Sequence, residues 1–385
     1  MEVSKWISPD KLRTFCYFVA RLTPTTLFLY KMASRSINTP DELEHLIRCY
    51  LRTQTANDIT INCPESLLYV EPIKKLMQEH PRGNHPWFSY DREHCLLKLF
   101  AMARPLHDAA AMLASSFMTS AAVSQFIPAQ IQRKIAISTK GFLMTRSYEP
   151  QSGSKVQAWT KYPDLSIVFR ADQPIPVVVF ETGFSEAYDD LKNDATQWLQ
   201  RSGGKVRLVI LVKIEEDLKT RRSLQKDPAS RKRIRQLVRE FGTDIVKEKH
   251  GLDEPENDES DASNPDIYDN IRASVVVYDW VGPITANMEL WELHDGVPMI
   301  REQRTVLPRP ESPTNPVIKI TDLVPLAYRE QFQHFDETAV HEIDLEHYRD
   351  LLQDALQEHA FHRAVTLLRA KPTSIDSKYN APQNA

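Results

Sequence analysis

The sequence contains little glycine. Only 10 of its 385 residues are glycine, beside 25 prolines, whereas average usage would make glycine about 7% of a chain. Phosphate-binding loops of the dinucleotide and P-loop types need several glycines in one turn, and neither G-x-G-x-x-G nor G-x-x-x-x-G-K-[ST] occurs here. The composition therefore argues against the nucleotide-dependent enzymes that are built on those loops.

Cysteine, net charge and long apolar runs are scarce as well. The four cysteines lie far apart, without a C-x-x-C pair or histidines at zinc-ligand spacing, which favours a reducing, intracellular location in the cytoplasm or nucleus. The formal net charge is −4, so the chain lacks the overall positive charge of proteins that coat nucleic acid. The chain start lacks the layout of a secretory leader. The uncharged stretch 109–132 contains Ser, Thr, Gln and a proline, which predicts a buried helix and no membrane partner.

The pattern of apolar residues changes near residue 134. Before it, cap residues followed by proline mark helix starts, and apolar residues recur at helical spacing over segments such as 66–79 and 89–103. We therefore expect an all-helical N-terminal region over residues 1–133. The following regions are predicted after it: an α/β domain over 134–335 with a charged insertion at about 219–270, a C-terminal helix over 336–370, and a flexible tail over 371–385.

Strand and helix signals alternate in the predicted α/β domain. Segments 177–180 and 206–214 are continuous apolar runs rich in β-branched residues, typical of strands covered on both faces. Between them, residues 185–201 predict a helix that ends at Gly203-Gly204. Strand, helix and strand form a βαβ unit. Two later segments, 274–280 and 288–293, also predict strands.

Two oppositely charged segments adjoin one another. Residues 219–239 contain nine Lys or Arg and one acidic residue, on a predicted helix that begins at Asp227-Pro228 and ends at Gly242. Residues 248–266 contain eight acidic residues and one lysine, which predicts a disordered insertion. The basic helix either contacts nucleic-acid phosphates or forms a solvated face beside the acidic segment. The candidates for phosphate contact are Arg231, Lys232 and Arg235.

Two carboxylates beside the predicted strands form the candidate site. Asp164 opens one strand and Glu181 closes the next, seventeen residues later. A hairpin pairing of these strands would bring both carboxylates to one edge of the sheet. Carboxylate oxygens suit Mg²⁺ or Mn²⁺, and a metal held there can polarise a phosphodiester and lower the pKa of the attacking water.

Four short motifs follow one another between residues 161 and 214. They read P-D-L-S, E-x-G-x-S-E, L-x-x-D-x-x-x-W-L and an apolar strand that ends in lysine. Their residues are Pro163, Asp164, Ser166, Glu181, Gly183, Ser185, Glu186, Leu191, Asp194, Trp198, Leu199 and Lys213. This stretch resembles the PD-(D/E)XK nuclease superfamily, and more specifically a group of fungal proteins that share the pattern. The resemblance implies a restriction-endonuclease-like fold, with a mixed sheet flanked by helices, that hydrolyses nucleic-acid phosphodiesters with Mg²⁺ or Mn²⁺ bound by Asp164 and Glu181.

One position departs from the superfamily pattern. A lysine normally stands two residues after the acidic one, beside the attacking water and phosphate, and here that position is Gly183. Lys192, at the edge of the apolar face of the predicted helix, and Lys213, on the adjacent strand, are the candidates to supply the charge. Loss of the lysine equally fits a catalytically degenerate fold that serves as a binding or interaction module.

Two further residues complete the set of candidates. In this superfamily a third carboxylate often comes from the first core helix, and Asp108 is the matching candidate metal ligand; the alternative is a first-turn acid favoured by the helix dipole. Gly183-Phe184-Ser185-Glu186-Ala187 approximates the G-x-S-x-G elbow of α/β-hydrolases, so a serine hydrolase using Ser185 is a third function. Ala187 replaces the last glycine of that motif, and Ser185 also suits a helix N-cap.

Overall fold

The computed structural model describes residues 36–53, 59–79, 88–91, 95–99, 105–145, 158–184, 187–250, 267–333 and 335–368. The chain forms two compact units, one of residues 1–103 with 139–162 and one of residues 104–138 with 163–385. Its class is α/β. In the ranges just given, no helix is both long enough and apolar enough to cross a membrane.

The first unit combines helices with small antiparallel sheets. A three-stranded sheet has the order β1-β3-β2, and β5 pairs with β6. Leucine and isoleucine side chains of the helices and of the three-stranded sheet form its core. Its described elements are α1 (Pro40–Thr53), β1 (Ile59–Asn62), a 3₁₀ helix (Glu65–Tyr69), α2 (Glu71–Glu79), β2 (Phe88–Asp91), β3 (Leu96–Leu99), β5 (Phe142–Thr145) and β6 (Ala158–Lys161).

These strands show that the all-helical prediction for residues 1–133 was wrong. Segment 89–103, predicted as a helix, contains most of β2 and all of β3. Strand β3 pairs with β1 on one side and with β2 on the other. An apolar run of four residues suits either a helix or a strand, and partners distant in sequence decide between them.

A mixed six-stranded sheet organises the second unit, with the order β11-β10-β9-β8-β7-β4. Strands β8 and β9 are parallel, and the other neighbours are antiparallel. The strands are β4 (Ile135–Ser138), β7 (Leu165–Phe169), β8 (Ile175–Phe184), β9 (Leu208–Glu216), β10 (Ile284–His294), β11 (Val297–Leu307), and the separate pair β12 (Val317–Lys319) and β13 (Val340–Glu342). The helices are α3 (Pro105–Val123), α4 (Ala129–Gln132), α5 (Tyr188–Arg201), α6 (Leu218–Leu224), α7 (Pro228–His250), α8 (Ile267–Ser274), α9 (Val277–Trp280), α10 (Ile320–Leu323), α11 (Leu326–Arg329) and α12 (Leu345–Leu368).

The predicted βαβ unit is confirmed as β8, α5 and β9. Helix α5 has acidic residues in its first turn, where the helix dipole favours them. It buries an apolar stripe that includes Leu191 and Trp198. Gly203 and Gly204 follow the helix with φ of +67° and +75°, a backbone conformation that glycine adopts without strain.

The uncharged stretch beginning at residue 109 lies largely in α3, as predicted. Helix α3 packs beside α12, and both contribute to one apolar cluster with β7, β8, β9 and β10. Within that cluster Leu113 and Phe117 of α3 are buried. Hydroxyl groups on α3 also pair with histidines: Ser116 Oγ lies 2.9 Å from His347 Nε2 of α12. From residue 109 onward, the uncharged part of α3 therefore contributes its apolar side to the core.

The prediction of a strand over residues 274–280 was wrong. This segment is the end of α8 followed by α9, and Val275 and Trp280 join an apolar cluster with α7 and α12. The predicted strand over 288–293 lies within β10, which pairs with β11 across Asp295-Gly296. The φ values of these two residues, +51° and +80°, suit a tight hairpin turn. Packing against helices, which propensity does not report, decided the conformation of this β-branched run.

The charged helix and the C-terminal helix also differ in their bounds from prediction. Helix α7 begins at Pro228 and passes through Gly242 to His250, since one glycine costs an exposed helix only about 1 kcal/mol. Helix α12 covers 345–368, and residues 340–342 before it form β13. Of the segment predicted to be disordered over 248–266, residues 248–250 belong to α7, and residues 251–266 lie outside the described residues. The predicted tail over 371–385 lies outside them as well.

Candidate functional site

Asp164 lies immediately before β7, at the open end of the β7–β8 hairpin. The antiparallel register of that hairpin, continued by one residue, makes Asp164 and Glu181 the next facing pair. Asp164 Oδ2 accepts a hydrogen bond of 2.7 Å from the backbone N–H of Thr182 and lies 3.4 Å from His107 Nδ1. The carboxylate therefore binds a backbone donor of β8 just beyond the point where β7 begins.

Glu181 lies inside β8, which continues to Phe184. Its side chain is buried, with 8% of the residue exposed. Its Oε1 accepts a short hydrogen bond, 2.5 Å, from the indole Nε1–H of Trp198 on α5. A carboxylate taken out of water is costly unless donors reach it, so the indole both orients and partly stabilises this charge.

The two carboxylates have partners on helices that pack on different faces of the sheet. Phe180 and Phe184 belong to the apolar cluster that contains α3 and α12. Glu181 and Gly183, which alternate with them along β8, face α5. His107, the partner of Asp164, lies on α3. The structure therefore confirms the predicted hairpin, while it directs the two carboxylates to different neighbours.

Gly183 is required by the packing of α5. A Cβ built on Gly183 would overlap Leu191 Cδ1 and lie 2.8 Å from Leu191 Cδ2. A side chain at this position would force the Leu191 side chain to move. Position 183 is therefore closed to any side chain larger than hydrogen while Leu191 keeps its place.

Lys213 lies on β9 directly beside Gly183. It is the parallel partner of Gly183 and the antiparallel partner of Asn287 on β10. Facing residues of neighbouring strands share one side of a sheet, so Lys213 lies on the same side as Glu181. Only 8% of Lys213 is exposed, and its Nζ lies 3.4 Å from Glu215 Oε1.

Lys192, the other lysine candidate, is oriented differently. It lies on α5 one turn after Tyr188, as predicted, and it is partly buried. Its Nζ lies 5.5 Å from the centroid of the Tyr188 ring, in a cation–π contact. Of the two lysines, Lys213 is the one that the sheet register places in the row of Gly183.

A buried acid that sequence reasoning missed is Glu289 on β10. Leu211 of β9 pairs with Glu181 on one side and Glu289 on the other, so the three form one row across the sheet. Glu289 is 4% exposed and accepts hydrogen bonds from Tyr188 Oη (2.9 and 3.0 Å) and Trp291 Nε1 (2.8 Å). Burial, followed by the bond to Glu289, raises the pKa of Tyr188 to about 12. The sequence signal that could have identified Glu289 is an acidic residue inside an otherwise apolar predicted strand.

On the α3 and α12 side, Asp164 lies near two buried hydroxyls. Thr182 Oγ1 and Tyr348 Oη have no hydrogen-bond partner in the part of the chain that the structure describes. Burial raises the pKa of Tyr348, and the charge of Asp164 adds to this effect. Unpaired buried hydroxyls are uncommon, so the surroundings of Asp164 are polar beyond the contacts to Thr182 N and His107.

The remaining predicted residues lie outside this cluster or outside the described ranges. Asp108 is exposed in the first turn of α3, and its neighbour His107 is the residue that reaches Asp164. On α7, Arg231 and Lys232 are exposed and Arg235 is partly buried. Ser185, the nucleophile of the hydrolase alternative, is not among the described residues.

The described side chains offer no larger ligand cluster. Among residues 36–368 with the gaps given above, no group of three or more His, Cys, Asp or Glu could hold a metal ion. No protein-family model, curated protein or solved structure matches the chain.

Proposed function

We propose that this chain is a metal-dependent phosphodiesterase that hydrolyses nucleic acid. The observation that carries the proposal is the position of Lys213 beside Gly183. The superfamily that residues 161–214 resemble has its lysine at the position of Gly183. Here the neighbouring strand supplies a lysine directly beside Gly183, on the same side of the sheet as Glu181. A lysine transferred in this way preserves the charge that the chemistry requires.

The oxygen atoms of the two acids are of the type that a hard divalent cation prefers as ligands. Asp164 and Glu181 supply carboxylate oxygens from facing positions of one hairpin. Magnesium is commonly held by one or two carboxylates together with water and substrate phosphates, so a pair of acids suffices. Asp164 and Glu181 are the residues that would hold Mg²⁺ or Mn²⁺. Because their present partners lie on opposite faces of the sheet, joint binding of one cation requires that at least one carboxylate leaves its present donor. When bound, the cation would polarise the phosphodiester and lower the pKa of the attacking water.

The chain's own residues have separate roles in this proposal. Trp198 holds the carboxylate of Glu181 in one orientation through its indole N–H. His107 and the backbone of Thr182 position Asp164. Lys213 supplies positive charge near the phosphate, which is worth most in a site with little water.

Basic side chains on α7 supply the proposed contact to the substrate. Arg231, Lys232 and Arg235 lie within one turn of the helix, and the first two are exposed. Positions four apart share a helix side, so Arg231 and Arg235 are neighbours on the surface. Such residues bind the phosphate backbone without reading sequence.

A different observation favours a second function, that of a catalytically degenerate fold acting as a binding or interaction module. Glu181 already accepts the indole N–H of Trp198, and Asp164 already accepts the N–H of Thr182. Each oxygen engaged in this way is a weaker ligand for a cation. In this second function the two acids would be structural.

A cleavage assay tests the first function. Single- and double-stranded DNA and RNA are incubated with the full chain and Mg²⁺ or Mn²⁺. We expect Asp164→Ala, Glu181→Ala and Lys213→Met each to lower the rate by about 100-fold or more. Asp108→Ala and Lys192→Met are the matched controls, and both should retain activity.

The outcomes separate the two functions. Cleavage that survives both carboxylate substitutions would reject the assigned site. An inactive wild type that binds Mn²⁺ in calorimetry, with binding lost in Glu181→Ala, would identify a metal-binding relic. An inactive wild type without Mn²⁺ binding would support the interaction module.

A further inference from the structure

We propose that Cys63 and Cys95, in the first unit, form a reversible disulfide. Cys63 directly follows β1, and Cys95 directly precedes β3. In the β1–β3 pair Asn62 faces Leu96, so Cys63 and Cys95 are the next facing pair. The backbone N–H of Cys63 donates to the carbonyl oxygen of Cys95 at 3.0 Å, which shows that the pairing extends to the two cysteines.

The backbone separation that antiparallel pairing gives is compatible with a disulfide. Facing residues of an antiparallel pair have Cα atoms about 4.5 to 5.5 Å apart, and disulfides bridge Cα atoms about 4.4 to 6.8 Å apart. Cys95 has a φ of +55°, which bends the chain at the start of β3. In sequence the two cysteines are 32 positions apart, and only the pairing of β1 with β3 brings them together.

Tyr90 of β2 lies close to both cysteines. Its hydroxyl donates to the carbonyl oxygen of Cys63 at 2.8 Å, and the Cys95 thiol is near enough to the same tyrosine to influence its pKa. One tyrosine therefore contacts the backbone of one cysteine and lies near the thiol of the other. Both cysteines are free thiols, Cys63 buried and Cys95 exposed.

The difference in exposure assigns the order of reaction with a hydroperoxide. The Cys95 thiolate attacks the O–O bond, which releases an alcohol or water and leaves a sulfenic acid on Cys95. The Cys63 sulfur then attacks Cys95 Sγ, the S–O bond breaks, and the hydroxyl leaves as water with the proton of the Cys63 thiol. Two thiols and one hydroperoxide thus give one disulfide, one alcohol or water, and one water.

The surroundings of Cys63 argue against it as the thiol that reacts first with a peroxide. Burial, with a smaller effect of Cys95, raises the pKa of the Cys63 thiol to about 11. A thiol with this pKa remains protonated at neutral pH and reacts slowly with oxidants in solution. It reacts with Cys95 because the two sulfurs are held together at high effective concentration.

Thiol counting on the full chain tests the proposal. The chain has four cysteines, and limiting hydrogen peroxide should lower the number of thiols that a maleimide labels in urea from four to two. Peptide mapping should identify a Cys63–Cys95 link that dithiothreitol reverses. The double variant Cys16→Ser/Cys49→Ser is the matched control and should still lose two thiols.

Single substitutions distinguish the pair from other oxidation. In Cys95→Ser, which alters an exposed side chain, the loss of two thiols should disappear. Cys63→Ser should behave alike, and circular dichroism checks that this buried substitution preserves the fold. The proposal is overturned if Cys95→Ser still loses two thiols, or if wild-type Cys95 goes to sulfinic acid while Cys63 stays reduced. A link only between separate chains, seen in non-reducing electrophoresis, would overturn it as well.

Discussion

Buried carboxylates in two regions of the second unit are stabilised by different kinds of donor. At the end of β9, the Glu216 side chain is only 1% exposed, and Arg363 of α12 donates to both of its oxygens at 2.7 Å. Arg221 at 3.3 Å and the N–H of Gly282 at 2.8 Å add further donors. We call this the arginine clamp. It joins β9 to α6, α12 and the segment before β10.

On the face of the sheet that α5 covers, by contrast, neutral groups donate hydrogen bonds to the buried acids. Trp198 donates its indole N–H to Glu181, and Tyr188 and Trp291 donate to Glu289. A guanidinium cancels a carboxylate charge, whereas an indole or phenol orients the carboxylate and leaves its negative charge in place. The clamp is therefore suited to hold elements together, whereas the donors on the α5 side orient the acids that they reach.

Removing the arginine should have the largest effect on stability. We expect Arg363→Ala to lower the free energy of unfolding by about 3 to 5 kcal/mol, because Glu216 would keep a buried charge without its main partner. Urea denaturation of the purified chain measures the change. Arg309→Ala is the control, since its pair with Glu346 is exposed and should contribute less than about 1 kcal/mol. Similar losses in both variants would contradict the contrast between the regions.

A glycine in each region allows a second comparison. A Cβ on Gly282 would overlap the backbone oxygen of Asp217, whereas a Cβ on Gly183 would overlap the side chain of Leu191. Backbone yields less than a leucine rotamer, so Gly282→Ala should be more destabilising than Gly183→Ala, for which we expect about 1 to 3 kcal/mol. Thermal unfolding of both variants ranks them. Adding Leu191→Ala should recover part of the Gly183→Ala loss, and the reverse ranking would show that α5 is the more rigid region.

Removing the neutral donor to Glu181 tests whether this acid binds a metal or is structural. Trp198→Phe deletes the N–H that reaches Glu181, and we expect a loss of about 1 to 3 kcal/mol. The proposed metal site also predicts tighter Mn²⁺ binding in this variant, because Oε1 of Glu181 loses its donor. Calorimetry and urea denaturation measure the two effects. Trp291→Phe is the control, since Glu289 keeps Tyr188, and unchanged Mn²⁺ binding in Trp198→Phe would argue for a structural role of Glu181.

The contribution of the arginine clamp to stability should depend on pH. Burial alone would raise the pKa of Glu216, but hydrogen bonds and charge from Arg363, with Gly282 N–H and Arg221, outweigh it and hold this pKa below the ordinary value of 4.5. A lowered pKa adds stability that is complete above the ordinary value and is lost as the pH falls through the lowered one. The stability difference between wild type and Glu216→Gln should therefore be constant near neutral pH and shrink below about pH 4.5. A difference that grows on acidification would contradict this sign.

Elements with strong local patterns were predicted well. The apolar runs of β8 and β9, the stripe of α5 and its terminal glycines were legible in the sequence because each depends on neighbouring residues. The predictions for segments 89–103 and 274–280 were wrong because short apolar runs adopt the conformation that partners distant in sequence stabilise. The facing of Asp164 and Glu181 was predictable, since a hairpin joins strands adjacent in sequence.

Register across strands that are distant in sequence was beyond prediction. The row of Gly183 and Lys213 depends on how β8 and β9 align on either side of α5. Glu289 joins the site only because β10, which begins 68 residues after the end of β9, pairs with that strand. The scarcity of glycine was visible from the start, but the packing reason for Gly183 needed the position of Leu191.

By itself, the sequence determined the α/β class of the second unit, its central βαβ unit and the pair of acids at the hairpin, since these follow from local periodicity and turn residues. Only the tertiary structure decided which groups meet those acids, which lysine stands beside Gly183, and that Cys63 faces Cys95. The physical reason is that donors, charges and thiols act over a few ångströms. Which groups come that close depends on strand pairing and helix packing between residues far apart in the chain.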